Sequence, residues 1–387
     1  MKRLVILALL AGCKGKPARH DAAIARVADA SADAGDAWPE LAELPAIEPV
    51  RVIALPARPD VPRFTVAGPV LAGELAIVGS SQFGFLAVDF RRGQIAWSKA
   101  AGSRIAPPLV IDQNIHLIGD CINPPAVPDG ETLLGCMRVV TQAGADQAYI
   151  AIRGKQKAVA DFAADTGDDH VWSDKGAVVW SHGDHAIAID PLSGVATPAA
   201  AAAPPLVVAY KAKRWQVRRS EEGVIEATGQ PSWHTERTYG PLLGAVYLPD
   251  QAPMIRVANA LARGRKPEIL IMDIDATGSM HGQVSMHPAP GIGVIGHAID
   301  AVGDVALAVR LDKTLRRDYI AGYAANALLI WTYKLPMTPR ADPVGIAIAS
   351  DAVIVFHDGD TLTILPELSA PPTAPGAVHV PSENATP

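Results

Sequence analysis

Short apolar runs separated by small polar turns recur through the middle of the chain. The clearest example spans residues 75–97, where three apolar runs are separated by turns at 80–84 and 90–93. Apolar runs of four to eight residues that are broken by Gly and Ser predict antiparallel strands joined by hairpins. Similar compact runs, of a length suited to buried strands, lie at residues 177–180, 305–309 and 353–356.

A spaced motif ends the first of these units and returns further along the chain. It reads Ala87-x-Asp89-x-x-x-Gly93-x-x-x-Trp97. Partial copies keep its start, its turn glycine or its final tryptophan, and they comprise Ala188, Asp190 and Gly194 (with Pro198 at the Trp position), Gly229 and Trp233, Asp275 to Gly278, and Ala321 with Trp331. A spaced series of matches indicates a repeated supersecondary unit.

This motif resembles the β-propeller repeat of the pyrroloquinoline-quinone-like superfamily, in which Ala-x-Asp-x-x-Thr-Gly-x-x-x-Trp closes each four-stranded blade. The resemblance implies an all-β propeller over residues 48–366. In such a blade the glycine makes the turn between the third and fourth strands, and the tryptophan packs between adjacent blades.

We expect seven four-stranded antiparallel blades, with six or eight as alternatives because the fourth and last units are short. Residues 48–55 are expected to supply a strand that closes the ring on the last blade. The predicted blades lie near residues 64–98, 105–152, 158–198, 205–233, 240–285, 292–336 and 343–366.

Composition agrees with short strands and excludes one class of function. Of 387 residues, 49% are apolar, and Gly and Pro number 33 each, which favours many short strands over long helices. The formal net charge of −6 argues against a general nucleic-acid binder, which would be basic. We therefore expect no nucleic-acid partner, and we expect a monomer.

The first residues predict an export signal. Lys2 and Arg3 are followed by a short apolar run, which is typical of a secretory signal peptide over residues 1–12. The ending Leu10-Ala11-Gly12-Cys13 resembles the lipobox of bacterial lipoproteins, which implies cleavage before Cys13 and acylation of that residue. Several acyl chains on one residue would make membrane attachment effectively permanent. Lys14, at the second position of the mature chain, favours the outer membrane, facing the periplasm.

Two segments are expected to be disordered. Residues 13–47 are rich in Ala, Asp and Pro and have too little apolar mass to offset the entropy of ordering, so they predict a tether. Residues 367–387 form a Pro-rich polar tail of the same kind.

Cys121 and Cys136 are the cysteines that remain after Cys13. In blade terms they lie at the ends of an enlarged turn between the second and third strands. Because the periplasm is oxidising, we expect a disulfide across that hairpin, stabilising the fold by about 3 kcal/mol. A redox or metal role is the alternative.

Histidines are numerous but scattered. The turns at residues 182–185 and 357–360 both pair His with Asp, a combination that several metal ions accept. Turns also favour Gly and Asp for backbone reasons alone, and two turns on different blades need not converge. We therefore expect no metal, no cofactor and no catalytic residue.

Enlarged turns between second and third strands are expected in blades two, five and six, at the cysteine loop, at residues 249–266 and at residues 311–318. A local basic region lies in the last two, which suggests a docking surface for an acidic partner or an anionic membrane surface. Its residues are Arg256, Arg263, Arg265, Lys266, Lys313, Arg316 and Arg317. Solvated loop charge is the alternative interpretation.

The sequence favours a non-catalytic interaction module that binds an envelope protein. A lipobox followed by this repeat is similar in plan to the propeller lipoprotein of the outer-membrane β-barrel assembly machinery. One alternative is a quinoprotein oxidoreductase, although the chain lacks the adjacent Cys-Cys pair and the calcium-binding set of that enzyme family. Another is a propeller that binds or cleaves a glycan. A repeat reports the fold and not the activity.

Overall fold

The structure is a computed structural model. The residues that it describes are 46–58, 66–165, 169–200, 206–210, 213–220, 223–229, 232–238, 242–248, 254–263, 266–275, 277–286, 293–300, 302–310, 318–325, 328–336 and 344–368. Within these residues, 28 strands form seven four-stranded antiparallel sheets. The sheets are arranged as the blades of a ring. The predicted seven-bladed β-propeller is therefore confirmed.

The strands are numbered in chain order, and β1 (Arg51–Ala54) precedes blade 1. Blade 1 comprises β2 (Val66–Ala72), β3 (Leu75–Ser80), β4 (Gly84–Asp89) and β5 (Gln94–Lys99). Blade 2 comprises β6 (Leu109–Ile111), β7 (Asn114–Gly119), β8 (Glu131–Thr141) and β9 (Asp146–Lys155). Blade 3 comprises β10 (Asp169–Asp174), β11 (Ala177–His182), β12 (His185–Ile189) and β13 (Ala196–Ala199). Helix α1 (Gln156–Ala164) connects blades 2 and 3.

Blade 4 comprises β14 (Leu206–Tyr210), β15 (Lys213–Arg219), β16 (Val224–Thr228) and β17 (Trp233–Thr238), and blade 5 comprises β18 (Leu242–Leu248), β19 (Met254–Arg263), β20 (Lys266–Asp275) and β21 (Met280–Met286). Blade 6 comprises β22 (Gly293–Ile299), β23 (Val305–Arg310), β24 (Asp318–Tyr323) and β25 (Leu329–Lys334). Blade 7 comprises β26 (Gly345–Ala349), β27 (Ala352–His357) and β28 (Thr361–Pro366) together with β1.

Strand β1 closes the ring as predicted. It pairs antiparallel with β28, with Arg51 opposite Ile364 and Ala54 opposite Thr361. The last blade therefore takes its fourth strand from the start of the described chain. We letter the strands of each blade A to D, and the A strands contact one another around the centre of the ring.

Apolar clusters between neighbouring blades form the core. Ile77 of blade 1 packs in one cluster with Leu117 of blade 2, and Leu86 of blade 1 packs in another with Phe356 of blade 7. The B and C strands are thus covered on both faces by adjacent blades. Strands buried on both faces read as continuous apolar runs, which explains the runs in the sequence.

The turn glycines of the repeat lie where one blade meets the next. Gly93, at φ +71°, donates its N–H to the Asp89 carbonyl at 2.7 Å. Gly194 and Gly278 occupy the same C–D turn in blades 3 and 5, also at positive φ. A β-carbon on Gly93, Gly194 or Gly278 would collide with the D strand of the preceding blade. These positions need glycine for conformation and for space.

Two repeat tryptophans reach from a D strand to the next blade. The Trp97 indole N–H donates to the Gln142 carbonyl at 2.9 Å. That of Trp331 donates to the Glu367 carbonyl at 3.3 Å. Trp233 begins the D strand of blade 4 and is buried. In the third copy, Pro198 lies within D strand β13.

Residues 1–45, which include Cys13, and residues 369–387 lie outside the described residues. In the part of the chain that is described, no helix is long and apolar enough to cross a membrane.

Candidate functional site

The disulfide Cys121–Cys136 fixes the largest inserted turn in the described chain. Its two Cα atoms are 4.9 Å apart, and Cys136 is paired with Gly119 in the β7–β8 ladder. The Tyr149 hydroxyl adds two bonds, because it donates to the Ile122 carbonyl at 2.9 Å and accepts from the Ile122 N–H at 3.0 Å. The turn at residues 120–130, called here the Cys loop, is therefore tied to its blade near its first residues.

The Cys loop belongs to one face of the propeller. This face, called here the insertion face, carries the B–C turns and the D–A connections. In blades 1 to 3 the B–C turns are residues 81–83, 120–130 and 183–184, and the described D–A connections are residues 100–108 and 156–165. Helix α1 is one of these connections. An open cleft of about 570 Å³ lies between the Cys loop, the start of β8 and the first turn of α1.

Two pairs of strands extend toward the insertion face beyond their neighbours. Among the described pairings, β8 pairs only with β9 beyond Cys136, over residues 131–135. Strand β19 likewise pairs only with β20 beyond Asn259, over residues 260–263. Blades 2 and 5 thus present two-stranded ribbons on one face of the ring.

A buried ion pair supports the insertion face beneath α1. The Arg104 guanidinium lies 4.3 Å from the centre of the Trp180 ring and donates to Asp169 Oδ1 at 3.1 Å. The Trp180 indole N–H donates to the same oxygen at 2.6 Å. Phe162 of α1 packs edge-on against Trp180 with ring centres 5.0 Å apart. The connection between blades 1 and 2, blade 3 and the helix are joined here.

The base of the Cys loop is joined to the same cluster. The Asp120 carboxylate accepts hydrogen bonds from the Ser103 hydroxyl at 2.8 Å and from the Arg104 N–H at 2.9 Å. At the other end of α1, Asp165 accepts from the Asp184 N–H at 2.9 Å and lies 2.9 Å from His185 Nδ1. This hydrogen bond is the main cause that raises the pKa of the exposed His185.

The predicted basic region is only partly within the described residues, and one of its members does not fit the prediction. Arg256 lies inside β19 and not in a turn. Its Nε and Nη2 donate to the Asp273 carboxylate at 2.7 and 2.9 Å, and its Nη1 donates to the Ala325 carbonyl at 2.8 Å. The side chain is 12% exposed. An arginine used in this way is a structural contact between blades 5 and 6, so its assignment to docking is wrong.

The predicted enlarged turn at residues 249–266 is also wrong, because β19 occupies residues 254–263 and leaves a B–C turn of two residues. Arg263 is the last residue of β19, and Lys266 is the first residue of β20. Arg265, Lys313, Arg316 and Arg317 lie outside the described residues. Docking by this region stays a prediction.

The two histidine turns are B–C turns of blades 3 and 7. His357 contacts Asp358 Oδ2 through Nδ1 at 2.8 Å and Thr363 Oγ1 through Nε2 at 2.9 Å, so both ring nitrogens have partners within the blade. His182 Nδ1 lies 3.1 Å from Asp169 Oδ1 but is not aligned for a hydrogen bond. Among the described residues, no group of three or more His, Cys, Asp or Glu is placed to hold a metal ion.

Sequence reasoning missed the Arg104–Asp169–Trp180 cluster. Its members come from different blades, and no local motif marks them. It also missed His116, a buried histidine beside a cleft on the opposite face.

Known proteins are similar to this chain only distantly. No protein-family profile matches the chain, and no curated protein sequence matches it. Similar solved structures include a chain of the mitotic checkpoint complex (9% identity, TM-score 0.47, covering 82% of this chain and 95% of that one). They also include Hsv2p from Kluyveromyces lactis (10% identity, TM-score 0.43, covering 76% of this chain and 89% of that one). A third is BamB from Moraxella catarrhalis (11% identity, TM-score 0.36, covering 82% of this chain and 98% of that one). At these levels of identity the likeness concerns the fold alone.

Proposed function

We propose that this chain is a lipid-anchored, non-catalytic scaffold of the cell envelope that binds partner proteins through its insertion face. The observation on which this rests is the concentration of inserted chain on that face. The Cys loop, α1 and the β8–β9 ribbon lie together on blades 2 and 3.

Rigidity of this surface supports a docking role. The disulfide and the Tyr149 hydrogen bonds fix the start of the Cys loop, and the Arg104 cluster fixes α1. A surface that is ordered before binding loses less conformational entropy on association, which increases affinity. Within the loop, residues 122–126 are exposed and can reach a partner.

The envelope location rests on the sequence of residues 1–13, and the anchor on Cys13. Among envelope processes, outer-membrane protein assembly is the first to test, because the lipobox and the repeat together resemble the propeller lipoprotein of that machinery.

Site-specific crosslinking in intact cells tests the docking face. Ala126 in the Cys loop and Ala143 in the C–D turn are both exposed alanines of blade 2, on opposite faces. A photoreactive residue at position 126 should capture a defined envelope protein, and the same residue at 143 should not. Equal capture at both positions, or none at 126, would contradict the proposal.

A further inference from the structure

A cleft lined by both polar and apolar residues lies on the face opposite the insertion face, over blades 2, 3 and 4. This face, called here the turn face, carries the A–B and C–D turns. In blades 1 to 3 the A–B turns are residues 73–74, 112–113 and 175–176, and the C–D turns are residues 90–93, 142–145 and 190–195. The cleft has a volume of about 610 Å³, and small-molecule sites commonly measure roughly 300–1,000 Å³. Its polar lining includes Asp112, Asn114, His116, Asp174, Lys175 and Gln216.

His116 is the buried member of this set. It lies in β7 and is 7% exposed, and its Nδ1 has no hydrogen-bond partner within the described residues. Burial lowers the pKa of the ring, so the imidazole is neutral near pH 7. Because no described group bonds to Nδ1, no hydrogen bond at that nitrogen selects one tautomer of the ring at the edge of the cleft.

The charges around the cleft oppose an anionic ligand. Asp112 and Asp174 outnumber Lys175, so their net negative charge would repel an anion such as phosphate, and Lys175 weakens the attraction for an organic cation. Asn114 and Gln216 each offer amide donors and an acceptor, and the Gln216 amide lies 3.5 Å from Asp174 Oδ1. A sugar hydroxyl both donates and accepts, so this mixture of groups suits a neutral polyhydroxylated ligand.

We propose that this cleft binds a short neutral saccharide. The residues that line it include no Phe, Tyr or Trp, so binding would rest on hydrogen bonds, and we expect a dissociation constant of about 1 mM or weaker. The proposal does not depend on protein docking. Because the two sites lie on opposite faces, either proposal can fail while the other stands.

NMR of protein labelled with ¹³C and ¹⁵N in histidine tests the proposal, with the His116 signal assigned by its loss in His116→Phe. Maltose, lactose and N,N′-diacetylchitobiose are titrated separately, followed by inorganic phosphate and spermidine. At least one sugar should shift the His116 ring signal in a saturable manner, and the charged probes should not. Asp174→Ala should weaken sugar binding by about tenfold, and Asp184→Ala, on the insertion face, should leave it unchanged.

Thermal unfolding of both variants checks that they retain the wild-type fold. A saturable response to phosphate or spermidine in place of sugar would overturn the proposal. So would the absence of a response to all three sugars, or equal sugar binding by Asp174→Ala and the wild type.

Discussion

Replacing Gly194 with alanine tests whether the repeat glycine sets the contact between blades. Gly194 has φ +72°, and its carbonyl accepts a hydrogen bond from the Arg153 N–H of blade 2 at 3.0 Å. A β-carbon here would lie 2.1 Å from the Ala151 carbonyl oxygen and 2.5 Å from Ile150 Cγ2. Contacts this short cannot persist, so the C–D turn of blade 3 must move away from β9.

Two costs contribute to the expected loss of stability. A left-handed backbone costs a residue with a β-carbon about 1–2 kcal/mol, and overpacking adds about 1–3 kcal/mol. We therefore expect Gly194→Ala to lower the free energy of unfolding by about 2–5 kcal/mol. At roughly 2–4 °C per kcal/mol, the Tm should fall by about 4–20 °C.

Gly176→Ala is the matched control for this measurement. Gly176 has φ +84°, but a β-carbon on it would have no neighbour within 4 Å. Its variant should incur only the conformational cost of about 1–2 kcal/mol. Differential scanning calorimetry of both variants gives the comparison. Equal losses of Tm would refute the steric contact between blades as a source of the glycine requirement.

Four further predictions follow from the same structure and sequence. Arg256→Met should lower the free energy of unfolding by about 3–5 kcal/mol, because it leaves Asp273 without its main partner. The control Arg92→Met, at a side chain that is 78% exposed, should lower it by less than about 1 kcal/mol. Chemical denaturation measures both changes. The double variant Cys121→Ser, Cys136→Ser should be less stable than the oxidised wild type by about 3 kcal/mol, and reductant should lower the wild-type midpoint to that of the variant without affecting the variant. The raised pKa of His185 means that its contribution to stability is present below the ordinary histidine pKa and is lost as pH rises through the raised value. The Tm advantage of the wild type over His185→Gln should thus shrink as the pH rises above the ordinary histidine pKa of 6.5, and a constant difference would contradict this assignment. Cys13→Ser should move the protein from the membrane fraction to the soluble fraction, and continued membrane association would contradict the lipid anchor.

The blades were predictable because their pairing is local in sequence. Each hairpin appears in the sequence as an apolar run followed by a turn, and the C–D turn glycines of blades 1, 3 and 5 have positive φ three or four residues after an aspartate. Asp89 and Gly93 show this pattern in blade 1, and Asp190 and Gly194 repeat it in blade 3. The closing strand β1 was predictable for a related reason, since the last blade has only three strands of its own.

Arg256 shows why charge alone misplaces a site. The sequence around Arg256 mixes Arg, Asn and Ala and so resembles a polar loop. In the structure this segment is part of β19, which pairs with β20, and each of the two strands is ten residues long. The partner of Arg256 is Asp273, seventeen residues away on β20. Only the register of that pairing brings the carboxylate opposite the guanidinium, and a one-residue shift would place the two side chains on opposite faces.

The candidate sites of this propeller combine residues from different blades, and a local sequence pattern cannot show which of those residues meet. Arg104 lies in the connection between blades 1 and 2, whereas Asp169 and Trp180 belong to blade 3, and the three meet where that connection reaches blade 3. His116 and Gln216 likewise approach one cleft from blades 2 and 4. In repeat proteins each unit contacts its neighbours, so a residue that departs from the repeat can act only together with the adjacent blades. Within the described residues, function should therefore be sought at blades 2 to 4, where a disulfide-closed loop, a helix and a cleft are added to the four-stranded blades.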